Sequence, residues 1–212
     1  MKYSRILWDW NGTLLNDAWL SVEVLRDMLG RRGLPKIDVC TYRNSFGFPI
    51  IKFYENLGFD FVEEPFEKVG AEFIENYNSK RNLCSLNDGA KELVFALEKA
   101  GVKQSILSAY EVNYLRQIVG TFAIAKCFEH IVGLDNIYAA TKVKLGQDYF
   151  NSLNENPKTA LFVGDTEHDA QTAKAIGCDC VLVAKGHFSK ERLLKLGVPV
   201  FADFNELANF LL

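Results

Sequence analysis

Two stretches that lie far apart in the chain carry the residue types that could perform chemistry. The first reads Ile-Leu-Trp-Asp-Trp-Asn-Gly-Thr-Leu-Leu from position 6, so a short apolar run ends at Asp9. The second reads Ala-Leu-Phe-Val-Gly-Asp-Thr-Glu-His-Asp from position 160, so another apolar run ends at Asp165. Short apolar runs of this kind are typical of buried strands. Carboxylates at the carboxyl ends of parallel strands lie at the edge where open α/β sheets bind ligands.

The first stretch alone also fits a local interpretation. The pair Asn11-Gly12 is a strong signal for a two-residue hairpin turn, in which Asp9 would only cap the turn. Thr13 adds a hydroxyl one residue later. The second stretch favours a catalytic Asp9, because Asp165 supplies an acidic partner. A carboxylate can attack phosphorus and form an aspartyl phosphate, which splits hydrolysis into two steps.

Together the two stretches resemble motifs of the haloacid dehalogenase (HAD) superfamily of phosphohydrolases. In that superfamily a strand-end Asp-x-Asp-Gly-Thr supplies the nucleophile, and a distant Gly-Asp-x-x-x-Asp completes a magnesium site. The resemblance implies that Asp9 is the nucleophile and that Mg²⁺ is held by Asp9, the Asn11 main-chain carbonyl, Asp165 and Asp169. Asp169 has two open roles: it completes the metal site, by binding the ion through a water molecule or by orienting Asp165, or it is only an acid in the first turn of a helix.

The same resemblance implies a set of phosphate-binding residues: Thr13, Ser108, Ala109 and Lys142. Ser108 ends the apolar run Ser-Ile-Leu-Ser, and a helix predicted from about Glu111 would offer free N–H groups to an anion. The alternative is that Ser108 only caps that helix. Lys142 best matches the catalytic lysine of the superfamily, and Lys144 is its competitor. A solvated surface position is the default for a single lysine.

Asn11 departs from the superfamily pattern, which has an Asp there that protonates the leaving alcohol and then activates water. An amide does not titrate in this range, and loss of such a group costs about 10²–10⁴ in rate. One possibility is that the substrate has a good leaving group, such as an acyl phosphate. Another is that Glu167, His168 or a residue of a helical cap over the site replaces the acid. Otherwise the protein is a weakened relative that binds a phosphorylated ligand or partner. A Schiff base on Lys52 or Lys68, as in phosphonate-cleaving relatives, is a minor alternative.

Hydrophobic periodicity predicts the elements that position these residues. Residues 4–9 read as a strand, and residues 15–83 read as mostly helical with no clear strand. From Asp88 strands and helices alternate to the C-terminus, which predicts a doubly wound parallel α/β sheet. We therefore predict a Rossmann-like core of residues 1–14 and 84–212 and a small, all-helical inserted cap of residues 15–83. Periodicity alone also allows a helical layer of the main domain; the resemblance favours the cap.

Composition narrows the class of protein. The 212 residues carry a net charge of −3 without a basic stripe, so we expect no nucleic-acid partner. No apolar run approaches the roughly 20 residues of a membrane span, and no signal-peptide pattern is present. The five scattered cysteines fit a reducing compartment, which favours the cytoplasm.

The sequence therefore predicts a magnesium-dependent phosphatase, similar to the phosphoglycolate phosphatase branch. Its partner would be a small phosphorylated substrate, and its oligomeric state would be a monomer or a homodimer. Haloacid dehalogenation would use the same Asp9 without a metal, and Asp165 argues against it.

Overall fold

The computed structural model describes residues 2–135 and 142–212, so Ala140 and Thr141 of the segment before Lys142 lie outside it. Its strands are β1 (Arg5–Trp8), β2 (Leu15–Asn16), β3 (Ser85–Leu86), β4 (Lys103–Glu111), β5 (His130–Leu134), β6 (Ala160–Gly164), β7 (Asp179–Val183) and β8 (Val200–Phe201). Its α-helices are α1 (Ala18–Arg31), α2 (Val39–Ser45), α3 (Ile50–Asn56), α4 (Phe66–Lys80), α5 (Ala90–Lys99), α6 (Val112–Gly120), α7 (Lys142–Leu153), α8 (Glu167–Ile176), α9 (Lys190–Leu193) and α10 (Phe204–Leu211). Of the described helices, none has the length and apolar composition needed to cross a membrane.

Six strands form a parallel sheet in the order β5-β4-β1-β6-β7-β8. Side chains alternate across a strand, so β1 sends Ile6 and Trp8 to one face and Leu7 to the other. Ile6 and Trp8 pack in the larger core, which includes residues of α5 and α10. Leu7 packs in a second core that includes residues of α7 and α8. The predicted doubly wound α/β fold is confirmed.

The hairpin interpretation of Asn11-Gly12 is wrong, because both neighbours of β1 are parallel to it. The chain instead turns back after β1 through a short loop, in which Leu15 N–H donates to the Trp10 carbonyl at 2.9 Å. Gly12 lies in this loop with φ of +77°, a conformation that favours glycine. The loop therefore redirects the chain away from the edge of the sheet.

Residues 15–83 are mostly helical, as predicted, and α2 and α3 are separate short helices. The prediction of no strand there is wrong at one point. β2 pairs antiparallel with β3, with Leu15 opposite Leu86 and Asn16 opposite Ser85. These two-residue strands are too short to show an alternating pattern in the sequence. Their pairing holds the two ends of the helical segment next to each other.

Candidate active site

Asp9 and Asp165 lie side by side because β1 and β6 are neighbours in register, with Trp8 opposite Val163. Each carboxylate follows its strand directly, and the Asp9 N–H donates to the Val163 carbonyl at 2.9 Å. Asp169 is in the first turn of α8, which starts two residues after Asp165. Oxygen atoms of the three carboxylates lie within 4.8 Å of one another, and all three residues are buried. We call these three residues the acidic cluster.

Small residues make this close approach possible. A Cβ atom at Gly12 or at Gly186 would collide with the Asp165 carboxylate, and one at Gly164 would collide with Asp169. The backbone at these three glycines therefore lies directly against the acidic cluster. Gly164 thus permits the close approach of its backbone to Asp169.

Thr13 and backbone amides fix the orientation of the carboxylates. The Thr13 hydroxyl donates to Asp165 Oδ1 at 2.9 Å and lies 3.4 Å from Asp9 Oδ2. The His187 N–H donates to Asp165 Oδ2 at 2.6 Å. Asp169 Oδ2 accepts from the N–H of Asp165 at 3.1 Å and of Thr166 at 2.9 Å. Asp169 therefore belongs to the capping box of α8 and also to the acidic cluster, and its role as a metal ligand stays a prediction.

Lys142, rather than Lys144, faces the acidic cluster. Its Nζ contacts Asp9 Oδ1 and lies 2.6 Å from Asp169 Oδ1, and the side chain is 3% exposed. Lys144 is exposed on α7, where it pairs with Asp148. Lys142 opens α7, and this position directs its side chain into the core.

The charges of this site do not balance. Burial raises the pKa of Asp9 well above its usual range, although the Lys142 ammonium opposes the shift. Burial also raises the pKa of Asp165 to about 6. Burial alone would raise the pKa of Asp169, but the adjacent ammonium and the N–H donors lower it. Three carboxylates facing one ammonium have the charge and the oxygen donors that suit a divalent cation.

Asn11 belongs to a second polar network beside the cluster. Its amide Nδ2 donates to Asp17 Oδ2 and to Tyr77 Oη, both at 2.8 Å. The Tyr77 hydroxyl donates to the same Asp17 oxygen at 2.7 Å, and the Gly12 N–H donates to Asp17 Oδ1 at 2.6 Å. The Asp17 carboxylate, 1% exposed, is thus fully hydrogen-bonded, and no titrating group occupies position 11.

His187 completes this network. Its Nε2 lies 3.4 Å from Asp17 Oδ1, and its Nδ1 lies 2.9 Å from the Tyr42 hydroxyl. Burial would lower the pKa of His187, but the Asp17 carboxylate raises it to about 9. In return, the imidazolium and the hydrogen-bond donors lower the pKa of Asp17 against the opposing effect of burial. Unlike the acidic cluster, this network holds one negative and one positive charge.

The remaining predicted residues lie around one central cavity of about 410 Å³. Ser108 and Ala109 line it, but Ser108 lies inside β4 rather than at its end. The predicted free N–H groups of the next helix are wrong, because the Glu111 carboxylate accepts from the N–H groups of Asn113 and Tyr114. The Ser108 hydroxyl accepts from the Tyr110 N–H at 3.2 Å instead of capping the helix.

Candidate replacements for the missing acid occupy different places. His168 lines the cavity, with its ring 4.7 Å from that of Phe48. The Glu167 carboxylate is exposed and accepts from Gln171. Lys52 and Lys68 are exposed and pair with Glu55 and Glu64, so the Schiff-base alternative finds no support.

Asp17 and His187 were not predicted as site residues, yet both line the cavity. Asp17 directly precedes α1, but its side chain makes no capping hydrogen bond. The available signal was the position of Asp17 directly after the first motif, where an acid that does not cap α1 needs another partner. His187 carried no such signal, because its partners come from three distant segments.

Comparison with known proteins identifies the family to which this chain belongs. The family model described as haloacid dehalogenase-like hydrolase matches residues 6–183. An N-acetylmuramic acid 6-phosphate phosphatase of Pseudomonas putida is 25% identical over 203 residues, covering 90% of this chain and 87% of that protein. A phosphoglycolate phosphatase of Pseudomonas syringae is 25% identical over 192 residues, covering 86% of this chain and 70% of that protein.

Among solved structures, a haloacid dehalogenase-like family hydrolase from Streptococcus pneumoniae superimposes with a TM-score of 0.85. It is 18% identical and covers 100% of this chain and 99% of its own, a likeness that concerns the fold. The family match spans both acidic motifs and most of the sheet. The chain belongs to the haloacid dehalogenase-like hydrolases.

Proposed function

We propose that this protein is a magnesium-dependent phosphatase that cleaves a small phosphorylated metabolite through an aspartyl phosphate on Asp9. The observation that carries the proposal is the acidic cluster with Lys142, buried at the carboxyl edge of the sheet and open to a cavity through Asp9. The curated relatives cited above are both named as phosphatases of small phosphorylated molecules, which supports the same reaction class.

The donor set fits a divalent cation. Asp9, Asp165, Asp169 and the Asn11 main-chain carbonyl would hold Mg²⁺, a cation that prefers oxygen ligands. When bound, the ion would offset negative charge on the phosphate and on the carboxylates. Thr13 would keep Asp9 and Asp165 in the required orientation, since its hydroxyl lies between them.

In the first step a carboxylate oxygen of Asp9 forms a bond to phosphorus. The ester P–O bond breaks, and its electron pair remains on the leaving oxygen. In the second step water attacks phosphorus, inorganic phosphate departs, and the Asp9 carboxylate is regenerated. Lys142 would reduce the repulsion between Asp9 and the phosphate, because its ammonium lies against Asp9 Oδ1. Ser108 and Ala109 would contact the phosphate from the neighbouring strand.

The segment of residues 15–83 would act as a cap over the cavity. Side chains of α1 to α4, among them Leu25, Tyr42 and Phe73, line the cavity opposite the sheet. Arg192 donates to the Phe46 carbonyl at 2.6 Å, which fastens α2 to the core. A cap of this kind closes over a substrate and excludes water from the reaction.

Asn11 favours a second candidate function, in which the protein binds a phosphorylated ligand or partner with little turnover. The amide is held by Asp17 and Tyr77 and cannot exchange a proton with a leaving alcohol. The proposed phosphatase and this alternative differ in turnover, while both require phosphate binding at the acidic cluster.

A screen of phosphate esters and acyl phosphates with and without Mg²⁺ separates the two functions. We expect phosphate release that needs Mg²⁺ and that Asp9→Asn abolishes. Asp148→Asn, which changes an exposed acid on α7 that pairs with Lys144, is the control and should keep full activity. Release that persists in Asp9→Asn would refute the nucleophile, and Mg²⁺-dependent phosphate binding without any release would favour the binding function.

A further inference from the structure

We propose that the substrate carries its phosphate on an aromatic hydroxyl, with the ring seated in the central cavity above Asp9. This inference rests on the proposed phosphatase function and names its substrate class. Two independent features support it: the lining of the cavity, and the amide at position 11.

The cavity wall opposite the sheet is built largely from contacting aromatic rings. Within it the Phe46 and Phe48 rings lie 5.6 Å apart, and the Phe73 ring lies 6.0 Å from that of Tyr77. The Tyr77 ring also lies 6.0 Å from that of Tyr110, which belongs to β4 on the sheet side of the cavity. Aromatic rings pack best against other rings in stacked or edge-to-face arrangements. The wall therefore offers ring faces and edges along its length.

The hydroxyls of three tyrosines that line the cavity are committed to other groups. The Tyr42 hydroxyl lies against His187, and the Tyr77 hydroxyl donates to Asp17. The Tyr110 hydroxyl contacts Asn78 and accepts from Arg81 at 2.9 Å. A polyhydroxylated sugar would need free donors and acceptors, because a buried hydroxyl without a hydrogen bond is costly. These three tyrosines do not provide them.

Charge also discriminates against a second anionic group on the substrate. Within residues 2–135 and 142–212, Lys142 is the one lysine or arginine that lines the cavity, and its ammonium is already shared by Asp9 and Asp169. The His187 imidazolium also lines the cavity but already pairs with Asp17, so the carboxylate of a phosphorylated hydroxy acid would find no unpaired cation along the described lining. An uncharged aromatic ring needs neither extra hydrogen-bond partners nor a second cation.

The amide of Asn11 sets a separate requirement on the leaving oxygen. Without a proton donor, the electron pair of the broken P–O bond must remain on an oxygen that is stable as an anion. A phenol resembles the tyrosine side chain, with a pKa of about 10, so its oxide leaves far more readily than an alkoxide. Its proton is then taken from water after departure. Hydrolysis of the aspartyl phosphate, the second step, is not accelerated by the aromatic leaving group. Phenol release should therefore be faster than phosphate release.

Four substrates separate ring recognition from leaving-group chemistry. Phenyl phosphate combines a ring with a weakly basic oxygen, and benzyl phosphate combines a ring with a strongly basic one. Acetyl phosphate and glycerol 1-phosphate form the matching pair without a ring. We expect KM for benzyl phosphate to be about tenfold or more below that for glycerol 1-phosphate. We expect kcat for phenyl phosphate to exceed that for benzyl phosphate by about a hundredfold or more.

The first turnover gives an independent readout. Rapid mixing with phenyl phosphate should release a burst of phenol equal to the enzyme concentration, followed by a slower steady rate. Benzyl phosphate should show no burst. In the double variant Asn11→Asp/Asp17→Asn, which exchanges the amide and the acid, kcat should rise more for benzyl than for phenyl phosphate.

Gly70 provides a way to fill the cavity without a backbone clash. It lies within α4 and lines the cavity, and a Cβ atom placed on it would meet nothing within 4 Å. We expect Gly70→Leu to raise KM for 1-naphthyl phosphate about tenfold or more, and KM for acetyl phosphate by less. Gly120→Leu in α6 is the matched control, since a Cβ atom there also meets nothing and the residue lies outside the cavity.

The outcomes separate this inference from the proposed function. If glycerol 1-phosphate is hydrolysed with a KM equal to or below that of benzyl phosphate, the aromatic substrate class is wrong although the phosphatase remains. Equal effects of Gly70→Leu on naphthyl and acetyl phosphate would also overturn it. If none of the four compounds loses phosphate and Mg²⁺ has no effect, the phosphatase itself fails.

Discussion

The two ends of β1 differ in how their buried charged residues are paired. Arg5 begins the strand and is 1% exposed, and Asp9 follows its end and is 6% exposed. Arg5 bonds to Glu155 at 2.9 Å, to Glu129 at 2.8 Å and to the Tyr149 hydroxyl at 2.9 Å. Each buried charge at this end therefore has its complement.

The other end lacks this balance. Asp9 lies with two further carboxylates against a single ammonium. A site built only for stability would have been filled with matched or apolar groups, because unpaired buried charge is costly. The comparison indicates that the uncompensated end is the one suited to the cation and the substrate proposed above. Four measurements test this contrast, from the largest expected effect to the smallest.

The largest effect is expected for Asp9→Asn. This change should lower kcat for phosphate-ester hydrolysis by about four orders of magnitude or more, because the nucleophile is lost. The free energy of unfolding should stay equal or rise, because the change removes one of three clustered negative charges. Steady-state kinetics and denaturant unfolding of the same preparation test both parts. A large loss of stability would mean that Asp9 has a structural role like that of Arg5.

Mg²⁺ should stabilise the folded protein through the acidic cluster. At a free concentration of a hundred times Kd, a ligand that binds only the folded state adds about 2.7 kcal/mol to the free energy of unfolding. Asp165→Asn should greatly reduce this gain, measured by denaturant unfolding with and without Mg²⁺. Glu155→Gln at the opposite edge is the control and should retain it. An equal gain in both variants would place the ion elsewhere.

Arg5→Met should lower the free energy of unfolding by about 2 kcal/mol, because it leaves buried and half-buried acceptors without their donor. The turnover of the folded fraction should stay within about twofold of the parent, since Arg5 lies at the edge opposite the acidic cluster. Lys103→Met is the matched control, because Lys103 also pairs with Glu155 at 2.8 Å but is half exposed. A loss of turnover with unchanged stability would contradict the division between the two ends.

The smallest effect concerns pH. Hydrogen bonds from Arg5 and Lys103 lower the pKa of Glu155 to about 2, from 4.5. This stabilisation is fully present above pH 4.5 and is lost as the pH falls through about 2. Solvent screening keeps it below about 1 kcal/mol. The difference in unfolding free energy between the parent and Glu155→Gln, followed from pH 5 to 2, should shrink steadily. A constant difference would show that the pairing contributes nothing.

The sequence predicts the fold and the acidic cluster for a common reason. An apolar run that ends in an acid marks the carboxyl end of a buried strand, so Asp9 and Asp165 could be assigned to one edge before any contact was known. Lys142 was harder, because spacing alone does not distinguish it from Lys144. The choice depends on which side of α7 faces the sheet.

The second network could not be predicted from spacing. Asn11, Asp17 and His187 come together only after α4 brings Tyr77, and α2 brings Tyr42, against the sheet. Helical periodicity assigns such tyrosines to a buried face without saying what their hydroxyls contact. Tertiary packing therefore decides which groups surround Asn11.

The hydrogen bond between Asn11 and Asp17 also has an evolutionary consequence. A lone exchange of Asn11 for Asp would set two carboxylates against each other where the amide now lies 2.8 Å from Asp17 Oδ2. An acid at position 11 would thus require a paired mutation, and each single mutant would carry a mismatched partner. Positions 11 and 17 are expected to drift together or not at all among descendants of this chain.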